Sequence, residues 1–370
     1  MKYYIIAGEA SGDLHGSNLI KELRKLDKDA VIRAWGGDKM KTAGAELIKH
    51  YRDLAFMGFI EVIKNLRTIL DNLKFCKNDI LQFQPDVLIL VDYPGFNLRI
   101  AKWAKLQGLK IIYYISPQVW AWKESRVKTI KQVVDKMLVI LPFEEKFYHQ
   151  WDYKVEYVGH PLVQVITEFL ETHPKQPIGN RPIIALLPGS RKQEVAKKLP
   201  IMLEASKKFT TYQFVVAKTS SLDDEFYSEF LRDFSQVTVV KDQTYNLLSQ
   251  AVAALVTSGT ATLETALFGV PEVVCYKGSS VSYQIAKRLI KIKYISLVNL
   301  IMDKPVVKEL IQNELTADNI VRELNSILHD DNKIEQLKKD YGDLKTLLQK
   351  ESNASGRAAQ EIVGFLQTNV

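Results

Sequence analysis

The chain has 370 residues, of which 46% are hydrophobic and 25% charged. That is long enough for two domains with a core in each, and too apolar for a disordered chain. The net charge is +7, and residues 1–160 hold nearly all of the excess, 25 Lys and Arg against 19 Asp and Glu. This balance fits an anionic partner such as a phosphorylated substrate or an acidic membrane surface, or simply a soluble basic surface. The basic–aromatic alternation of a nucleic-acid binder is missing.

The first apolar run, residues 3–7, begins directly after Met1-Lys2 with no secretory signal before it. No run approaches the roughly 20 residues of a membrane span. The expectation is a cytoplasmic protein with at most peripheral membrane contact. Short apolar runs at 3–7, 87–91, 110–115 and 137–141 predict buried parallel strands. Amphipathic stretches at 14–26, 59–83 and 97–107 predict helices between them. The polar segment 171–182 reads as a linker. The pattern then restarts, with strands at 183–187, 213–217, 237–240, 253–256 and 272–275 and helices at 194–209, 245–250 and 260–268. Residues 316–367 read as helical and charged, without further strands. Cys76 and Cys275 lie far apart and form no metal-type cluster, so both read as small buried hydrophobes. The alternation predicts two doubly wound α/β domains facing a central cleft, with a helical C-terminus. The boundaries are 1–170, 171–345 and a last segment, 346–370. That segment either crosses back to the first domain or exchanges between subunits of a homodimer.

Ligands of open parallel sheets bind beyond the carboxyl ends of the strands, so the residues after each strand carry the chemistry. The first strand is followed by Gly8-Glu9-Ala10-Ser11-Gly12-Asp13. It is either a tight turn with Asp13 as cap or an acidic loop at a site; the dinucleotide spacing is absent. Asp92 ends the strand at 87–91 and precedes Tyr93-Pro94-Gly95. It reads as a turn residue or as a general base. Ser116-Pro117-Gln118-Val119-Trp120-Ala121-Trp122 follows the third strand, and the basic stretch 123–136 follows it as a solvated or headgroup-binding helix. In the second half, Pro188-Gly189-Ser190-Arg191 joins a strand to a helix start, with a guanidinium suited to a diphosphate. Thr257-Ser258-Gly259-Thr260 does the same, with Glu264 one turn in. Either turn could be plain capping, but two phosphate-type turns in one domain weaken that alternative. Met57 and Phe59, beside Gly58, together with Trp120 and Trp122 could wall an apolar surface for acyl chains; the alternative is core packing.

Taken together, the Gly8–Asp13 loop, the Ser116–Trp122 segment, Leu141-Pro142-Phe143-Glu144, Gly159-His160-Pro161, Leu187-Pro188-Gly189-Ser190-Arg191, Ser258-Gly259-Thr260-Ala261-Thr262-Leu263-Glu264 and residues 286–300 resemble the lipid-A-disaccharide synthase family. The matches keep their order from about residue 5 to 312. The resemblance implies a GT-B fold, with an acceptor and lipid side in the first domain and UDP-sugar binding in the second. It also implies transfer of 2,3-diacylglucosamine from UDP to the 6-hydroxyl of 2,3-diacylglucosamine 1-phosphate with inversion, at the inner face of the inner membrane, and neither metal nor redox cofactor. By resemblance Asp92 is the catalytic aspartate, Glu9 and Asp13 form an acidic loop beside it, Arg191 binds diphosphate, and Glu264 and Asn299 line the UDP pocket. Gly95 departs from relatives that carry a second acid there. The rival readings are another GT-B transferase, a UDP-sugar 2-epimerase, or a nucleotide-regulated membrane-surface protein without activity.

Overall fold

The computed structural model describes residues 1–53, 66–279, 292–349 and 353–368. The chain divides into two compact units, one of residues 1–161 with 348–370 and one of residues 162–347.

The first unit is built on seven parallel strands, β1 (Lys2–Ala7), β2 (Val31–Gly36), β3 (Glu46–His50), β4 (Val87–Val91), β5 (Ile111–Tyr114), β6 (Lys136–Val139) and β7 (Glu156–Tyr157), in the order β3-β2-β1-β4-β5-β6-β7. β1 and β4 lie side by side, with Ile6 opposite Leu90. Both are covered on both faces, which is why each reads as an unbroken apolar run. The sequence reading missed β2, β3 and β7. β3 is an edge strand only half covered, and β7 has two residues. β2 carries Arg33, held by Glu46 and Asp79 at 2.9 Å each. None of the three forms a long apolar run.

Helix α1 (Ala10–Leu26) starts four residues earlier than the pattern predicted, so the Gly8–Asp13 segment is mostly the helix's own first turn. A short helix α2 (Asp38–Thr42) follows β2, and α3 (Pro94–Leu106) follows β4 with proline in its first turn. The C-terminal helix Ala354–Thr368 lies on α1 of the same chain. Its Ala358, Ile362 and Leu366 share a core cluster with Leu19, Ile20 and Leu23. Arg357 pairs with Glu156 at 2.8 Å and Lys136 with Glu361 at 2.5 Å, tying this helix to the sheet.

The second unit has six parallel strands, β8 (Ile183–Leu187), β9 (Gln213–Lys218), β10 (Thr238–Lys241), β11 (Ala251–Thr257), β12 (Glu272–Tyr276) and β13 (Lys308–Ile311), in the order β10-β9-β8-β11-β12-β13. Helix α4 (Lys192–Ser206) follows β8, and α5 (Thr260–Leu267) follows β11. A third helix, α6 (Leu297–Met302), precedes β13. β13, a four-residue edge strand with charged ends, is the one strand here that the sequence reading passed over. The helices Ala317–His329 and Asp331–Leu348 close the unit without a further strand.

Both sheets reverse their strand order at one place, between β1 and β4 and between β8 and β11. That is where an open parallel sheet forms a ligand crevice at its carboxyl end. Four of the chemically marked segments of the sequence follow these four strands, and the Ser116–Trp122 segment follows β5.

Candidate active site

At the switch point of the first unit, the turn after β4 is unusual. Asp92 and Tyr93 both adopt left-handed backbone conformations, with φ of 45° and 48°. For residues other than glycine this costs about 1–3 kcal/mol each, and it persists only where the surroundings impose it. They do so here. The Asp92 carbonyl accepts hydrogen bonds from Asn97 Nδ2 at 2.7 Å and from the Tyr113 hydroxyl at 2.5 Å. The Tyr93 ring lies on Gly8, where a Cβ would stand 2.3 Å from the ring, so only glycine fits after β1.

The result is a half-buried Asp92 side chain beyond the tip of β4. Burial pushes its carboxyl up to about 6, and the charge of Glu9 adds to the shift. Glu9, at the position just before α1, is therefore an electrostatic neighbour of Asp92. Gly95 faces open space, with nothing within 4 Å of a Cβ built there.

Asp13 is placed differently from an acid presented to a ligand. It is 4% exposed, and its carboxylate accepts the backbone N–H groups of Gly37 (2.8 Å), Met40 (3.0 Å) and Lys39 (3.2 Å). Its charge holds the start of α2 against α1. The alternative reading of Asp13 as the cap of its own helix is not what forms either, because Glu9 occupies that place. Close by, burial holds His15 down to about 4 and His160 down to about 3, each being disfavoured as a cation. His160 also donates its backbone N–H to Leu348 O at 3.1 Å, where the chain returns to this unit.

Of the four residues expected to meet acyl chains, Met57, Phe59 and the side chain of Trp122 lie outside the described residues. Trp120 is 9% exposed, with its ring edge-on to Phe143 at 4.9 Å. So placed, Trp120 offers little area to a lipid and packs the Ser116–Trp122 segment against the helix Pro142–His149. The basic stretch forms a helix only over Arg126–Val133, with Val127, Ile130 and Val133 buried and Lys128 and Lys131 in solvent. It is a solvated amphipathic face.

In the second unit the turns after β8 and β11 sit on adjacent strands. Gly189 has φ of 116° and Gly259 of 142°, conformations that L side chains rarely adopt. Each glycine leads into a helix start, α4 after Arg191 and α5 after Gly259. The first N–H groups of a helix have no partner within it, and its dipole favours anions there. Ser190, Arg191, Gly259 and Thr260 are exposed at these starts. Ser258 is spent inward, its Oγ donating to Ile295 O at 2.7 Å.

Glu264 accepts a hydrogen bond from the Tyr245 hydroxyl at 2.7 Å, and burial raises its pKa. Asn299 is 1% exposed. Its amide bonds Val307 N and Val307 O at 2.9 Å each and Glu309 at 3.0 Å. Glu309 in turn accepts the N–H groups of Ile295 and Ser296. Asn299 thus pins the segment that Ser258 reaches, and its own polar atoms are used in doing so.

Sequence reasoning passed over Asn97, Tyr113, Tyr245 and Lys198. Asn97 carried a signal, a poor helix former one turn into a proline-started helix, where a side-chain amide usually has a local task. The others act across strands or between helices, which no local pattern records.

Residues 3–363 match the family model described as lipid-A-disaccharide synthetase. The lipid-A-disaccharide synthase of Trichlorobacter lovleyi is 41% identical over 335 residues, covering 88% of each chain. That of Koribacter versatilis is 35% identical and covers 99% of each. Among solved structures, a UDP-GlcNAc 2-epimerase from Neisseria meningitidis bound to UDP-GlcNAc aligns with a TM-score of 0.67 at 14% identity, covering 100% of both chains. The calicheamicin glycosyltransferase CalG4 aligns with a TM-score of 0.63 at 17% identity, covering 99% of this chain and 98% of its own. At those identities the structural likeness shows the fold, a pair of Rossmann-like units of the GT-B class. The match to the family model along nearly the whole length, with relatives at this identity, shows more: the chain belongs to the lipid-A-disaccharide synthetase family.

Proposed function

We propose that this protein is a lipid-A-disaccharide synthase. It joins UDP-2,3-diacylglucosamine to 2,3-diacylglucosamine 1-phosphate, forming the disaccharide 1-phosphate and UDP. The reaction type rests on one observation above the others, the Asp92 carboxyl held at a strained strand tip with its pKa brought near 6. A base with a pKa close to the working pH is the effective kind.

In this reading Asp92 takes the proton of the acceptor 6-hydroxyl as that oxygen attacks the anomeric carbon of the donor. The bond from that carbon to the β-phosphate oxygen breaks, and its electron pair leaves with UDP. Attack opposite the leaving group inverts the centre. Arg191 and the N–H groups at the starts of α4 and α5 receive the charge growing on the diphosphate. In the same reading Glu264, with its partner Tyr245, meets the ribose, and Gly189, Ser190, Gly259 and Thr260 shape the turns around the phosphates. Glu9 keeps Asp92 basic by repulsion. Asp13, Ser258 and Asn299 support the surrounding loops.

The first domain takes the acceptor and its lipid, and the second takes the UDP-sugar. Both substrates carry acyl chains, so the protein works as a peripheral protein on an anionic membrane surface. The basic excess of residues 1–160 supports that docking.

The test is UDP release from UDP-2,3-diacylglucosamine in detergent and EDTA, with and without acceptor. Release that requires the acceptor and yields a disaccharide monophosphate is expected. Release without acceptor, or none while UDP still binds, would exclude this reaction.

A further inference from the structure

Lys198 sits on α4, one helical turn after Glu194, and is 2% exposed. A lysine that far from water needs a reason, because desolvation disfavours its charged form. Its Nζ donates to the hydroxyl of Thr257, the last residue of β11, directly before the Ser258–Thr260 turn. That partner is neutral. Burial lowers the pKa of this ammonium, and Arg191 and Lys197 add to the lowering; the Glu194 carboxylate is the main influence in favour of the charge, with Cys275 behind it.

Glu194 has a second cation. Its Oε1 lies 3.7 Å from Arg191 Nη1, and the Arg191 side chain is 69% exposed. The carboxylate also closes on the diphosphate turn from inside the helix, since a Cβ at Gly189 would stand 2.5 Å from Glu194 Oε2. One anion therefore lies at the base of a turn expected to bind another anion, with Arg191 beside it at the surface and Lys198 buried one helical turn along. Without the buried one, Glu194 would cancel the charge of Arg191 and repel a diphosphate. With it, the group of three keeps one net positive charge.

Resting on the nucleotide reading above, we propose that Lys198 is a positioning residue of the diphosphate site. Its buried ammonium compensates Glu194, so that Arg191 and the two turns present a net positive charge to the diphosphate of the bound nucleotide.

The experiment is calorimetric binding of UDP and of uridine to the full chain and to Arg191→Ala, Lys198→Met, Glu194→Gln and the Lys198→Met/Glu194→Gln double variant. Lys198→Met should weaken UDP binding by about tenfold to a hundredfold, the scale of a lost interaction with a charged group, and leave uridine binding unchanged. The double variant should recover most of the loss, because it removes the carboxylate left uncompensated. A purely structural lysine would lose both ligands together and show no such recovery.

The inference is overturned if Lys198→Met binds UDP within twofold of wild type, if uridine binding falls equally, or if the double variant is no better than the single one. Should Lys198→Met fail to fold, Lys198→Gln carries the same comparison. A wild-type chain that does not bind UDP, or an Arg191→Ala chain that binds it undiminished, overturns the nucleotide reading itself and this inference with it.

Discussion

Asp92 combines two costs, a left-handed backbone and a carboxyl removed from water, and both have structural causes in Asn97, Tyr113, Tyr93 and Glu9. Its pH behaviour follows with a definite sign. The folded-state pKa lies near 6 and the ordinary value at 3.8, so below pH 6 the carboxyl is mostly protonated. The value of kcat/KM should therefore rise with pH through a limb near 6. Asp92→Asn should lower turnover by about 10²- to 10⁴-fold, the usual contribution of a general base, and abolish that limb while UDP binding stays intact. Near-normal turnover of that variant would remove Asp92 from the reaction. The same shift means that ionised Asp92 weakens the fold. Stability from this group is complete below pH 3.8 and is lost as pH rises to about 6, so Asp92→Asn should melt higher than wild type at pH 7.5 but not at pH 3.5. Aspartate followed by Tyr-Pro-Gly was legible as a turn or a base. The left-handed conformation that decides its direction depends on Asn97 and on Tyr113, a strand away, and could not be read locally.

At the scale of elements, the start of α1 shows how a motif can be recognised and its members still sorted wrongly. Glycines and acids after a strand announce a special turn, yet the helix absorbs most of them, and Asp13 points sideways into α2. Three backbone N–H groups converge on its carboxylate, including that of Gly37, where any Cβ would stand 2.6 Å from Asp13 Oδ2. Asp13→Ala should cost about 3 kcal/mol or more, since buried donors lose a charged acceptor. Asp13→Asn should cost less, because one amide oxygen still accepts. Thermal unfolding of the two variants checks the order, and an Asp13→Ala chain as stable as wild type would show that α2 needs no such anchor. The two turns of the second unit were more legible. A glycine with positive φ before a helix leaves a compact signature, whereas the inward use of Ser258 depends on Ile295, 37 residues further on.

For the whole molecule, the C-terminal helix is the main non-local decision. It comes after the last strand of the second unit yet completes the core of the first, covering α1 with Ala358, Ala359, Ile362, Val363 and Leu366. Burial of the three larger side chains contributes roughly 5–9 kcal/mol as an upper estimate, comparable to the whole stability of a domain. A chain ending at residue 347 should therefore lose the fold of its first unit, seen as a new low-temperature transition and rapid proteolysis within residues 1–161, while the second unit persists. An unchanged melting profile would place the helix's contribution elsewhere. The sequence by itself determined the two strand–helix alternations, most of the inner strands of both sheets and the glycine turns after β8 and β11, because burial on both faces and positive-φ glycines write themselves into local composition. The tertiary structure alone decided β2, β3, β7 and β13, the conformation at Asp92, the partners of Asp13 and Lys198, and the return of the last helix. Each of these depends on a contact between residues distant in the chain, whose free energy appears only once both elements are in place.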